Sequence, residues 1–201
     1  MAKISTYPID GTPSLSDKVI GTEVANNNET KNYTISSILG LGSTLYAPIA
    51  YGSFYDTTTQ TAATSTIATM KYNTTVLSQG VSIVNDGLGD PTQITFANAG
   101  LYNLQFSAQL QRTSGGSDAT ISIWFRLNGT DIPASTTHLT LKANTNYVVA
   151  SWNFFQQVAA GNNVQIMWSH NDSIQILYEA PGVAPVRPST PSVILTVNRI
   201  A

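Results

Sequence analysis

The sequence predicts an all-β fold, an antiparallel jelly-roll sandwich with a small irregular N-terminal module, and three observations carry that expectation. From Gly100 to Arg112, Tyr102, Leu104, Phe106, Ala108 and Leu110 alternate with Asn103, Gln105, Ser107, Gln109 and Gln111, the period of a strand with one apolar and one polar face. Beyond residue 45, short stretches of this kind recur to the end of the chain with tight-turn chemistry between them and no helical interludes, which is the pattern of a sandwich or jelly roll. Finally, 42% of residues are apolar and only 10% charged, so the chain has a core's worth of apolar side chains and lacks the charge that holds disordered chains open.

Taken in order, Ile4 to Pro8 and Asp17 to Val24 are short, turn-bounded segments, followed by the amide-rich turn Asn26-Asn27-Asn28. Apolar residues at 35, 38 and 39 have helical spacing, and Thr34 stands where an N-cap belongs, so one or two helical turns are expected there. Gly40-Leu-Gly-Ser-Thr44 reads as a linker. Strands are expected near 50–55, 67–72, 76–84, 93–96, 101–112, 120–127, 138–141, 147–158, 164–170, 174–178 and 192–200. Between them lie Asn85-Asp-Gly, Asn98-Ala-Gly, Ser114-Gly-Gly, Asn128-Gly, Ala160-Gly-Asn-Asn and Pro181-Gly, each supplying residues that tolerate the positive φ of tight turns. The division is thus residues 1–44, too small for a core of their own, and residues 45–201.

Composition narrows the function classes. A formal net charge of −2 and a pI near 5.5 leave no electrostatic footprint for nucleic acid or an anionic membrane. Without cysteine, folding does not depend on an oxidising compartment. The first ten residues lack a signal-peptide h-region, and no stretch approaches a transmembrane length. The amide-rich face of residues 101–111 lacks the Lys and Glu that usually protect a solvent-facing sheet. Such a face suits contact with another copy of the chain.

Two segments resemble known families. Ile4-Ser-Thr-Tyr-Pro-Ile-Asp-Gly-Thr-Pro13, Asp17-Lys-Val-Ile-Gly-Thr22 and Thr30-Lys-Asn-Tyr-Thr-Ile-Ser-Ser-Ile38 resemble, in order, the short N-terminal module of many tailed-phage virion proteins. That resemblance implies attachment to the particle through Ile4, Tyr7, Pro8, Asp17, Ile20, Gly21, Thr30, Lys31, Tyr33, Ile35 and Ile38. Residues 50–201 resemble the phage branch of the trimeric jelly roll shared by tumour necrosis factor and complement globular heads. The resemblance lies in Tyr51-Gly-Ser-Phe-Tyr55, the run from Ile94 to Leu110, Ile123-Trp-Phe-Arg-Leu-Asn-Gly-Thr-Asp-Ile132 and Ala159-Ala-Gly-Asn-Asn-Val-Gln-Ile166. Asn162 stands where that family often has an acidic residue, and its calcium ligands have no counterparts here, so the resemblance implies no metal.

His138 and His170 lack metal-ligand spacing, and His170-Asn171-Asp172 reads as a turn with a solvated imidazole. Asp86-Gly-Leu-Gly-Asp90 offers two carboxylates, fewer than calcium wants. No Gly-x-Ser-x-Gly, glycine-rich phosphate loop or paired carboxylate across a groove is legible, so no catalytic residue, metal or cofactor is expected. Trp124 lies between Ile123 and Phe125 and faces opposite to both. It is a cover under a loop, a subunit contact or an exposed carbohydrate-binding ring, and the subunit contact is preferred because a buried ring is worth ~2–3 kcal/mol. Tyr51, Phe54, Trp124, Trp152, Gln105 and Gln109 are accordingly the expected trimer contacts.

The resulting expectation is a non-enzymatic virion structural protein made in the host cytoplasm. It would be a homotrimeric head fibre or capsid decoration protein, anchored to a capsid or tail protein by residues 1–44. The alternative is a short tail fibre or tail-tip adhesin that binds a host-surface glycan.

Overall fold

The computed structural model describes residues 12–24, 28–45, 49–143 and 147–201. Backbone contacts divide the chain into two units, residues 1–48 and residues 49–201. In the first, β1 (Lys18–Glu23) and β2 (Glu29–Thr34) form an antiparallel hairpin, and α1 (Ile35–Leu45) follows directly. Thr34 caps that helix as its position suggested: its Oγ1 accepts from the Ser37 amide at 3.1 Å. Lys31 pairs with Glu23 across the hairpin. The predicted linker is not one, because Gly40 to Thr44 continue the helix. Two glycines cost ~1 kcal/mol each in a helix, but no proline or strong C-cap intervenes, so the first turn propagates. Val19, Ile20, Leu39 and Leu41 are exposed, and no described side chain of this unit is fully buried. Ile4, Tyr7 and Pro8 lie outside the described residues.

The second unit opens with β3 (Tyr51–Asp56), β4 (Gln60–Thr61), β5 (Ala68–Thr69), β6 (Thr74–Gln79), β7 (Val81–Asn85) and β8 (Pro91–Phe96). The long β9 (Gly100–Arg112) comes next, then β10 (Ala119–Leu127), β11 (Thr130–Asp131) and β12 (Thr137–Leu141). It closes with β13 (Tyr147–Val158), β14 (Asn163–His170), β15 (Ile174–Ile176), β16 (Gly182–Val183), β17 (Val186–Arg187) and β18 (Val193–Arg199). One sheet pairs β13 with β9, β9 with β18, β18 with β3 and β3 with β6, while β15 and β4 extend it beside the C-terminal end of β9. The other pairs β12 and β11 with β10, β10 with β14, β14 with β8 and β5, and β8 with β7. Every pairing is antiparallel, and the chain crosses from one sheet to the other between β9 and β10, β12 and β13, β13 and β14, and β14 and β15, in the manner of a jelly roll.

The core between the sheets is the inward set of each strand. Tyr102, Leu104, Phe106, Ala108 and Leu110 of β9 are all buried, facing Ile121, Ile123, Phe125, Ile166 and Trp168 of the opposite sheet. Aromatic rings join the layers: Phe106 meets Phe125 edge-on at 6.1 Å, and Phe154 stacks on Phe125 at 4.4 Å. Such pairs add about 0.5–1.5 kcal/mol to the burial of their area.

Three expected strands are divided or shortened, the run 174–178 simply ending at Ile176. The run 76–84 breaks at Gly80, whose φ of +67° turns the chain out of the first sheet, as β6, into the second, as β7. A side chain there would meet Asn98 and Ala50. The run 67–72 is regular strand only over Ala68–Thr69, paired with β14; beyond it the Met70 amide still donates to the Ile166 carbonyl of β14 at 2.8 Å, and the Tyr72 amide turns to the Pro91 carbonyl at 2.9 Å. Asn128 and Gly129 form the predicted tight turn, both with positive φ.

Gly80→Ala is expected to lower stability by about 1–2 kcal/mol, the cost of a left-handed backbone for a residue with a Cβ. Gly87→Ala, where φ is ordinary and a Cβ meets nothing within 4 Å, should change it by less than ~0.5 kcal/mol. Urea denaturation of the two variants beside the parent measures both.

Candidate self-association face

The sheet built on β9 has an outward side opposite its core side, and register assigns its residues. Because directly opposed residues share a face, Asn103, Gln105, Ser107, Gln109 and Gln111 of β9 align with Phe155, Asn153, Ser151, Val149 and Tyr147 of β13. On the other flank, Asn103, Gln105 and Ser107 align with Asn198, Thr196 and Ile194 of β18, and these with Tyr51, Ser53 and Tyr55 of β3. No charged residue occupies an outward position on these four strands. Amides bridge them: Asn153 Nδ2 donates to Asn103 Oδ1 at 3.3 Å, Asn103 Nδ2 to Asn198 Oδ1 at 3.4 Å, and Gln175 Nε2 to Gln111 Oε1 at 2.6 Å. Apolar rings flank this amide row. Phe155 is 54% exposed and Tyr147 and Val149 nearly the same, all on β13.

Of the expected trimer contacts, Tyr51, Gln105 and Gln109 lie on this face. Three others do not. Phe54 is on the inward side of β3 and completely buried within the protomer, because strand alternation places it opposite Tyr55. Trp152 also points inward, edge-on to Phe106 at 4.6 Å. Trp124 belongs to the other sheet, where it is 9% exposed within the protomer and lines a recess with Asp131, Ile132 and Thr136; of the three readings, burial beside a loop is the one the structure has. Arg126, through a 2.7 Å bond, and then the Trp124 indole hold the Asp131 carboxyl below the usual carboxylate range. Phe155, Tyr147, Thr196 and Asn198 were missed, although extending the period of two from β9 to its neighbours would have found them once the pairing partners were known.

The remaining candidates resolve differently. His170 is buried, not solvated: it lies 5.7 Å from Trp168 in a stacked arrangement, and its Nε2 donates to the Ala62 carbonyl at 3.1 Å. His138 is exposed, and its Nδ1 lies 2.9 Å from Ser122 Oγ. Asp86 organises its own turn, accepting from the amides of Leu88 at 2.9 Å and Asp90 at 3.1 Å and from Thr92 Oγ1 at 3.0 Å. Burial alone would raise its pKa, but those bonds together outweigh it and the carboxyl sits below its ordinary value. Asp90 pairs instead with Lys71 at 2.8 Å. Among the described residues no three His, Asp or Glu side chains converge as metal ligands would. Of the expected attachment residues, Asp17, through its carboxylate, accepts from Ser14, and its carbonyl accepts from the Ile35 amide at 2.9 Å. Ile20, Thr30, Lys31 and Ile38 are exposed, and Gly21, Tyr33 and Ile35 half-buried.

No family model matches the chain, and no curated protein matches it. Among solved structures, it is similar to murine APRIL in crystals at pH 8.5, pH 5.0 and pH 8.0, with 9%, 8% and 9% identity and TM-scores of 0.46, 0.44 and 0.44. Each comparison covers 76% of this chain and 99% of that chain. The fold assignment rests on the strand order above and not on these likenesses.

Because the folded pKa of Asp86 is depressed, its contribution to stability is present above the unfolded value and is lost as pH falls through the folded one. Asp86→Asn should therefore be less stable than the parent at pH 7, by less than ~1 kcal/mol, because solvent screens the charge and an amide oxygen can still accept from Leu88 and Asp90. The gap should narrow as pH drops below the unfolded carboxylate range. Thermal melts from pH 7 to pH 2.5 would register it.

Proposed function

We propose that this is a non-enzymatic structural protein of a tailed-phage virion, a homotrimer whose N-terminal unit attaches it to the particle and whose jelly roll is displayed. The observation that supports self-association is the uncharged outward face of β3, β9, β13 and β18. Amides there can hydrogen bond across a contact, and exposed Phe155, Tyr147 and Val149 supply apolar area, without charges to desolvate. Three copies related by a closed axis bury such a face on every protomer. The attachment role rests on the resemblance of residues 4–38 to phage virion modules, and it fits a small unit that leaves Val19, Ile20, Leu39 and Leu41 exposed.

Sedimentation equilibrium of the full chain is expected to give three times the protomer mass; a monomer at micromolar concentration would defeat the reading. Gln105→Lys places an unpaired ammonium at the centre of the face, and burying it costs several kcal/mol, so it should dissociate the oligomer with an unchanged circular dichroism spectrum. Removing residues 1–48 should leave the oligomer and its cooperative melt and abolish incorporation into particles in a complementation assay. Normal occupancy by the truncated protein would assign docking to the jelly roll.

A further inference from the structure

A second feature stands beside the outward face of β9. Between β15 and β18 the chain leaves the sheet as an arm, residues 179–190, that doubles back through β16 and β17. Its base is closed three ways. The backbones of Glu179 and Thr190 exchange hydrogen bonds at 3.0 and 2.9 Å, Arg187 Nη2 donates to Glu179 Oε2 at 2.8 Å, and Arg187 Nη1 donates to Thr190 Oγ1 at 3.1 Å. Pro181, Pro185, Pro188 and Pro191 restrict the backbone in and around it. A segment so constrained has little conformational entropy left to lose when its tip is bound.

The tip of the arm is apolar and uncovered. Val183 and Val186 are each 88% exposed, with Ala184 and Pro185 exposed between them. At the foot of the arm, Gln109, Tyr147 and Leu177 join Glu179, Arg187 and Thr190 around an open recess of about 450 Å³. The exposed ring of Tyr147 and the half-buried Leu177 give it apolar surface, and its two ions neutralise each other in their 2.8 Å pair. Neither valine lines this recess. A single protomer therefore carries an aliphatic knob and a recess with room for it, and joins neither to the other.

We infer that the Val183–Val186 tip of one copy seats in the Gln109–Tyr147–Leu177 recess of the next. The inference rests on self-association through the outward face, with which the recess is continuous because Gln109 and Tyr147 belong to both. One knob and one recess per chain make the contact heterologous: each copy gives a tip and receives one, the arrangement that rotation closes into a ring. Rotation about an axis running with the strands keeps every residue at its own height. Arm and recess stand at the same end of the sheet, beside the C-terminal half of β9, so a second copy is the occupant whose level matches.

The chain has no cysteine, so single thiols introduced on its surface report proximity. Full-length Val186→Cys and a differently tagged Gln109→Cys would be mixed, allowed to exchange subunits and oxidised. Leu88→Cys, which alters an exposed side chain on the turn between β7 and β8, replaces Val186→Cys in the collisional control. The expected result is a disulfide between the two tagged chains that forms much faster with Val186→Cys than with Leu88→Cys. In parallel, Val183→Asp/Val186→Asp changes only exposed side chains and should keep the parent's circular dichroism spectrum. It should raise the protein concentration at half assembly by about tenfold or more, because a carboxylate seated in the recess is desolvated without a partner. The inference is overturned if the two disulfides form equally fast, or if the doubly substituted protein assembles as tightly as the parent. Normal assembly of that protein with failure to enter particles would assign the tip to another virion component, and likewise overturn it. A monomeric parent would defeat the self-association reading and the inference with it. If Gln105→Lys dissociates the oligomer and Val183→Asp/Val186→Asp does not, that reading stands and the inference alone fails.

Discussion

Everything in the larger unit depends on β9 being hydrogen-bonded along both edges, to β13 over its whole length and to β18 and β15 on the other side. Two-sided pairing fixes which side chains of a thirteen-residue strand face inward. A slip by one residue against either neighbour would push Asn103, Gln105 and Gln109 into the core and turn Leu104 and Phe106 out, and the loss of apolar burial makes that alternative inaccessible. The same lock aligns the amides of four strands into one continuous surface. Core and outward face are two readings of a single register.

The layers are joined by rings as well as by aliphatic packing. Phe125, on one sheet, touches Phe106 and Phe154 of the other, and Trp152 closes on Phe106 from the edge strand. Trp152 and Phe154 are what anchor β13, which has one fully paired neighbour and outward residues that are all exposed. Gly80 performs a complementary task by passing the chain between sheets in a single residue.

Much of this was legible in the residues. The burial of Tyr102, Leu104, Phe106, Ala108 and Leu110 follows from period alone, and the Thr34 cap and the Asn128-Gly129 turn follow from local chemistry. What escaped was non-local. Trp152 and Phe155 differ in role only through the parity of β13 against β9. Trp124 is explained by a loop that returns beside it at residues 131–136, and His170 by a contact with Ala62, more than a hundred positions earlier. The helix through Gly40 and Gly42 shows propensity being overridden where nothing stops propagation. The recess beside Tyr147 had a visible neighbour, the Pro181-Gly turn, but its walls come from β9, β13 and residues 177–190. Spacing in the chain gives no hint of that convergence.

The four strands of the outward face carry no outward charge, and the ions bordering it where Gln109 and Tyr147 line a recess, Glu179 and Arg187, are paired at 2.8 Å, so little counterion atmosphere is there to shed. Contacts between charged surfaces weaken as salt rises, because the attraction is screened within about 10 Å at 0.1 M ionic strength. A contact made through amides and rings has nothing for salt to screen, and salts that are excluded from protein surfaces strengthen it. The self-association proposed for the surface of β3, β9, β13 and β18 is therefore expected to persist, and to tighten, as electrolyte is added.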